Sequence, residues 1–259
     1  MLHRRLDSLG KYAPTGFDLL DKSITQCFLH AEGPGALPTR HRTSRKLLGV
    51  LSPYGVYDKI GYLSAWSYAR VAESALPDIF VVIGQATAAE GFFTYLFSGW
   101  ETPFGKVQSG KDRGQILLQL FPLLKHDAAA FSRADAIEAQ LPFLQFVNKD
   151  ALRELTILPL LVNSTDYDAC QRLGEALGEL GEQCHLSIIG SCNLTGDVVD
   201  PALVDALKTI DVKKIRDILS VRHASGELLV FAEAMKSLYA RQGRLLAYRP
   251  GSASMVFER

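Results

Sequence analysis

Asp135 and Glu138 stand three residues apart in a stretch of helical spacing, so both carboxylates fall on one helix face. A positioned carboxylate can take a proton as a general base. The plain alternative is an exposed or hydrogen-bonded acidic pair that does no chemistry. Cys192 follows the apolar run His185-Leu186-Ser187-Ile188-Ile189-Gly190, on a loop where a thiol could act as nucleophile. Its nearest histidine in sequence, His185, stands at the start of that run. About seven residues of strand at ~3.3 Å each separate the two, so they cannot easily pair. A structural thiol is the simpler reading. No GxSxG elbow, P-loop or GxGxxG lies at a strand end. Cys27, Cys170, Cys184 and Cys192 form no CxxC pair and no Cys/His cluster of zinc spacing. Tyr54, Tyr57, Tyr62 and Trp66 suit an apolar or aromatic ligand, against the alternative that they simply pack, above all Trp66 in its helical stretch.

These side chains need elements to position them. Asp78–Gly84, Leu155–Val162, His185–Gly190 and the shorter Leu47–Leu51 read as buried strands. Pro159 inside the second of these requires a bulge or an unpaired N–H. Helical spacing begins after Thr15, a candidate cap with Asp18 in the capping-box position, and stops at Gly33-Pro34-Gly35. Further helices are expected over 62–76, 112–122 and 135–147, and from about Thr165 with Ala169, Leu173, Ala176, Leu177 and Leu180 on one face. Another opens at Asp200-Pro201, a short one is capped by Asp211, and a longer one runs from Ser225 to Gln242. Strands over Arg244–Tyr248 and Ser254–Phe257 close the chain. Buried strands alternating with amphipathic helices predict a three-layer α/β/α domain with a mostly parallel central sheet. Ligands of such sheets bind beyond the carboxyl ends of the strands, here Pro53–Tyr57, Gln85–Glu90 and Ser191–Asp197.

Composition narrows the partners. Of 259 residues, 47% are hydrophobic, which is too many for a disordered chain. Lys plus Arg number 28 and Asp plus Glu number 28, so no global field attracts nucleic acid or an anionic membrane. The basic stretch Arg40, His41, Arg42, Arg45, Lys46 has no interleaved aromatics and reads as a solvated loop, which disfavours nucleic-acid binding. The N-terminus, MLHRRLDSLGKYAPTG, carries basic residues with no apolar stretch behind them, and no run approaches the ~20 residues of a membrane span. A cytoplasmic setting with free thiols is expected.

Five segments lie in a telling order: Pro53-Tyr54-Gly55-Val56-Tyr57, Trp100-Glu101-Thr102-Pro103-Phe104-Gly105-Lys106-Val107, Ile137-Glu138-Ala139-Gln140-Leu141-Pro142-Phe143-Leu144-Gln145, Thr156–Val162 with Leu173-Gly174-Glu175-Ala176-Leu177, and Ser191-Cys192-Asn193-Leu194-Thr195-Gly196. Together they resemble the MEMO family, also called AmmeMemoRadiSam system protein B, in which such segments read PHAGY, FETPLGEV, EHSIEVQLPFLQ, IVPILVG with LGEAL, and SSDLSH. The resemblance covers nearly the whole chain. It implies one domain over 1–259 with a fold similar to class III extradiol dioxygenases. It also implies a cleft bounded by Tyr54, Tyr57, Thr87, Asp135, Glu138, Gln140, Asn193 and His223.

The departures bear on chemistry. In the family, histidines from these loops converge on a metal. Here Tyr54 stands for the PHAGY histidine, Thr87 and Ala88 for the GPSHH histidines, and Asp135 for the EHS histidine, with Ala134 before it. Asn193 and Gly196 replace the acid and the histidine of SSDLSH. His223 alone falls near the implied site, in place of a cysteine. Iron sites favour two histidines and a carboxylate, and catalytic zinc three protein ligands. Asp135, Glu138 and His223, with Tyr54 as a poor fourth, leave only a weak divalent site. The expectation is therefore a binding or scaffold protein with no metal and no cofactor. It would hold a protein partner or a small aromatic or carboxylate ligand, with oligomerisation left open. The alternative is an enzyme of altered chemistry, with Asp135 or Glu138 as general base and Asn193 or Thr87 holding an oxyanion or carboxylate. Iron-dependent ring cleavage is the least favoured outcome.

Overall fold

The computed structural model describes residues 4–6, 10–39, 42–95, 99–194 and 201–259. In chain order its strands are β1 (Arg4–Arg5), β2 (Leu47–Ser52), β3 (Ile79–Gln85), β4 (Gly91–Thr94), β5 (Trp100–Thr102), β6 (Gly105–Ser109), β7 (Leu124–His126), β8 (Thr156–Asn163), β9 (Leu186–Ser191), β10 (Gln242–Arg249) and β11 (Ser252–Glu258). Its α-helices are α1 (Phe17–Leu29), α2 (Tyr57–Glu73), α3 (Lys111–Leu120), α4 (Asp135–Glu138), α5 (Leu141–Val147), α6 (Tyr167–Gln183), α7 (Pro201–Thr209), α8 (Val212–Val221) and α9 (Glu227–Ser237).

The strands join one sheet of order β1-β5-β6-β8-β3-β9-β2-β11-β10, with β4 against β8 and β7 against β4. The run β6-β8-β3-β9-β2 is parallel, and β11 and β10 extend it antiparallel. Helices cover both faces, which is why the central strands read as continuous apolar runs. Alternate residues of β3 serve different cores. Phe80 and Val82 pack with residues of α1, α2 and α5, and Val81 and Ile83 with residues of α3 and α6–α9. Among the described residues no helix is long and apolar enough to cross a membrane.

Several expectations need correction. Gly16, not Thr15, occupies the cap of α1, and no side chain caps that helix. α2 starts at Tyr57, five residues before the expected start. The predicted helix over 135–147 is two pieces, broken at Ala139-Gln140, and Pro142 lies in the first turn of the second. α6 starts at Tyr167, close to the expected Thr165, and is capped by Asp166, whose carboxylate accepts the Ala169 N–H. Asp211 caps α8 as expected, accepting from the Lys214 N–H. α9 spans only Glu227–Ser237 because Gln242 already begins β10. Pro159 needs no bulge toward β3, where it pairs in register with Val82. On the other flank of β8, β6 ends its pairing at Ile157 and β4 begins at Leu160, so Pro159 sits where that flank changes partner. The expected Asp200 cap, Thr195, Gly196, Asp197, Arg40 and His41 lie outside the described residues.

Two close approaches fix where α9 begins. A Cβ on Gly174 of α6 would stand 2.6 Å from the Cβ of Glu233, so glycine lets α6 and α9 touch. A Cβ on Gly226 would stand 2.2 Å from the Cys170 sulfur. The Gly226 N–H bonds the Ser164 carbonyl at 2.9 Å, and the Ser225 hydroxyl donates to the Val162 carbonyl at 3.2 Å. The first residue of α9, Glu227, is thereby held against the carboxyl end of β8.

Candidate functional site

β2, β3 and β9 end side by side, since Ser191 pairs with both Ser52 and Gly84. The chain leaves them at Tyr54, Ala86 and Cys192, the place where parallel α/β sheets bind ligands.

Asn193 latches two of these ends together. Its Oδ1 accepts the Tyr54 N–H at 3.2 Å and its Nδ2 donates to the Tyr54 carbonyl at 2.9 Å. An aspartate could accept the first bond but not donate the second. Gln140 works beneath them as a buried hub. Its Nε2 donates to the Ser191 hydroxyl at 2.9 Å and lies 3.2 Å and 3.3 Å from the carbonyls of Pro53 and Ser52. Its Oε1 accepts from the Tyr68 hydroxyl at 2.9 Å. The break between α4 and α5 is what turns this side chain inward.

Asp135 opens α4 and meets the N-terminal segment. Its Oδ2 receives the Lys11 ammonium at 2.5 Å and the Tyr12 hydroxyl at 2.9 Å. That bond pushes the Lys11 pKa above the usual lysine range. The Tyr12 ring stands edge-on to Tyr54 with centroids 6.5 Å apart. Tyr54 is half-buried, and burial first, then Cys192, Tyr12, Glu227 and Asp135, push its phenol up to about 12. It is a neutral hydroxyl at physiological pH.

The remaining expected residues divide. Glu138 is buried in α4. Thr87 is exposed, and its hydroxyl donates to the Arg133 carbonyl at 3.2 Å. Tyr57 belongs to the core rather than the cleft rim. Its hydroxyl donates to the Ala139 carbonyl at 2.7 Å and its ring packs 4.8 Å from Phe143. Tyr62 stacks on His30, and the Trp66 indole donates to the Glu32 carbonyl, so neither lies at the cleft. His223 is exposed and takes a left-handed backbone at φ 51° where α8 closes. The Ala224 N–H there reaches back to the Leu219 carbonyl, as at a helix C-terminus.

His223 and Asn193 line a cavity of about 240 Å³ between the ends of β3 and β9 and the α8–α9 loop. The residue missed in the sequence lies here. Glu227 is partly exposed as a residue, but its Oε2 is buried and has no hydrogen-bond partner among the described residues. Burial pushes this carboxyl up to about 7, against the opposing hydrogen bonds from Ser225 and its own backbone. Cys192 lines the same cavity. Burial, and then Glu227, raise its thiol well above the usual range, so it stays protonated and lacks the activation a nucleophile needs. His185 and Cys192 flank β9 at opposite ends, as the strand spacing required. Lys11 and Tyr12 were also unforeseen. No local pattern ties them to Asp135.

A profile described as "Memo-like protein" matches residues 4–255. A MEMO1 family protein of Methanopyrus kandleri is 27% identical over 254 residues, covering 92% of this chain and 89% of that protein. Another, of Methanocaldococcus jannaschii, is 28% identical over 260 residues with the same coverage. The crystal structure of an uncharacterized protein from Escherichia coli K12 resembles this fold at a TM-score of 0.51. At 13% identity, over 82% of this chain and 98% of that one, the likeness concerns fold alone.

Proposed function

The chain belongs to the Memo-like protein family, and on that premise we propose that it is a binding protein that takes a small ligand into its strand-end cleft without a metal ion. The observation that carries this is the engagement of Asp135. The carboxylate that stands for a family histidine already bears the Lys11 ammonium and the Tyr12 hydroxyl. Asn193 presents an amide whose two ends hold the Tyr54 backbone. Thr87 and Ala88 offer neither imidazole nor carboxylate. His223 sits exposed on a helix-closing turn at the cavity's edge. Among the described residues no three His, Cys, Asp or Glu side chains are grouped so as to hold an ion. This donor set does not fit the divalent sites of iron or zinc chemistry.

The cavity suits a small ligand. Leu194, Leu203, Leu219 and Leu228 give it apolar walls, and Glu227 with Asn193 gives it polar points. A carboxylate ligand would meet the Glu227 carboxyl, which argues against that part of the initial expectation. The free thiols Cys27, Cys170, Cys184 and Cys192 suit a reducing, cytoplasmic setting.

A second reading, an enzyme of altered chemistry, is favoured by one feature: Glu227 titrates near neutrality, where a general base works best. It moves that role from Asp135 or Glu138 to Glu227. Loss of a measured turnover in Glu227→Gln would favour it over pure binding.

Ligand-observed NMR against a fragment set, in the presence of EDTA, tests the main proposal. Saturable binding at the cavity is expected, unchanged when EDTA is removed and iron(II) or zinc is added. Binding that appears only with a metal contradicts it.

A further inference from the structure

The Glu227 carboxyl is the one feature of this cavity that its surroundings leave unanswered. Its Oε2 is removed from water and receives no bond from the described residues. A buried carboxylate without a partner is costly, and the usual remedy is an opposite charge. Among the described residues, the groups around it do not supply one. Ser225 and Cys192 are neutral, as are Tyr54, Tyr167 and Cys170, whose own pKa values are raised with Glu227 among the causes. The basic residues lining the cavity, Arg222 and His223, are exposed on the α8–α9 loop, and neither is a cause of the Glu227 shift.

Resting on the binding function proposed above, we infer that the cavity binds a small primary amine, with its ammonium on Glu227 Oε2 and a short apolar body against Leu194, Leu203, Leu219 and Leu228. The chemistry is complementary at each end. A cation meets an unpaired buried carboxylate, where a charge-assisted hydrogen bond is strongest. Four leucines meet a branched hydrocarbon. At about 240 Å³ the cavity lies below the ~300–1,000 Å³ of sites for drug-sized ligands, so the amine is small. Three consequences separate this from nonspecific apolar binding. A neutral isostere loses the ion pair, an anion is repelled, and glutamine at 227 abolishes the preference while leaving the apolar walls intact.

The test uses the full chain, labelled with ¹⁵N, at pH 7.5 with EDTA, titrated with 3-methylbutan-1-amine, 3-methylbutan-1-ol and 4-methylpentanoate. The amine is expected to shift the amides of Cys192, Glu227 and Leu228 saturably and to bind at least tenfold more tightly than the alcohol. The carboxylate is expected not to bind. Glu227→Gln should weaken the amine at least tenfold and remove its preference over the alcohol, while an amide spectrum matching the parent's away from residue 227 shows that the variant is folded. Equal binding of amine and alcohol, or amine binding that survives Glu227→Gln, overturns the amine assignment and leaves the cleft as a metal-independent site. Saturation by any probe only after zinc or iron(II) is added overturns the proposed function as well. No binding by any probe overturns the inference.

Discussion

Replacing Glu227 by glutamine removes a buried charge and keeps the shape of the side chain. In the folded chain this carboxyl is raised from 4.5 to about 7 by burial. At about 1.4 kcal/mol per pH unit, the shift corresponds to about 3 kcal/mol. The direction follows from proton binding. The folded state holds the proton more tightly than the unfolded state, so the full contribution is present below pH 4.5 and is lost as pH rises through about 7. At pH 8 the natural chain therefore carries an ionised carboxylate with one oxygen buried and unbonded, which the variant lacks. Urea denaturation of both proteins at pH 5 and pH 8 measures this. The glutamine amide contributes equally at the two pH values, so the change in their stability difference isolates the charge. Between pH 5 and pH 8 that difference should move by about 2–3 kcal/mol in favour of the variant. A difference that stays constant, or moves the other way, would refute the claim that burial holds the Glu227 carboxyl above its ordinary value.

Three further substitutions bear on the cleft. Gln140→Leu removes the side-chain bonds to the Ser52 and Pro53 carbonyls and to the hydroxyls of Ser191 and Tyr68, although Ser64 still donates to Pro53, Ser191 to the Ala136 carbonyl and Tyr68 to the carbonyl of residue 140, and should lower unfolding stability by about 1–3 kcal/mol in urea. Asn193→Asp replaces the donor to the Tyr54 carbonyl with an acceptor and should lose about 1–3 kcal/mol of stability. Calorimetric titration should find no zinc site in that variant, although it restores the family's acid. Asp135→Asn breaks an ion pair whose side chains are 29% and 61% exposed, and should change stability by less than about 1 kcal/mol by the same denaturation assay.

The sequence made the centre of the fold readable and its margins obscure. β2, β3, β8 and β9 are covered on both faces, so Ile79-Phe80-Val81-Val82-Ile83 and its counterparts stand out as unbroken apolar runs. β4, β5, β6 and β7, with sequences GFFT, WET, GKVQS and LKH, are too short to establish a period and escaped notice. The break at Ala139-Gln140 did carry a signal, since Pro142 prefers the first turn of a helix. Motif matching brought Gln140, Asn193 and His223 forward, but it could not show that two of them hold the scaffold together. Such roles depend on partners far along the chain, as with Asp135 and Lys11. Glu227 was hidden for a different reason. An acid in the first turn of a helix is ordinary there, because it suits the helix dipole. Only the packed structure reveals that its Oε2 is shut away from water.

The central claim is that the Lys11–Asp135 pair and the Asn193 latch have replaced a metal site. Elemental analysis of the chain, expressed with supplemented iron, copper and zinc and purified without chelator, tests it most directly. The account predicts far less than one metal ion per chain, unaltered in Asp135→Asn. A stoichiometric metal that disappears on substituting Asp135 or His223 would contradict it.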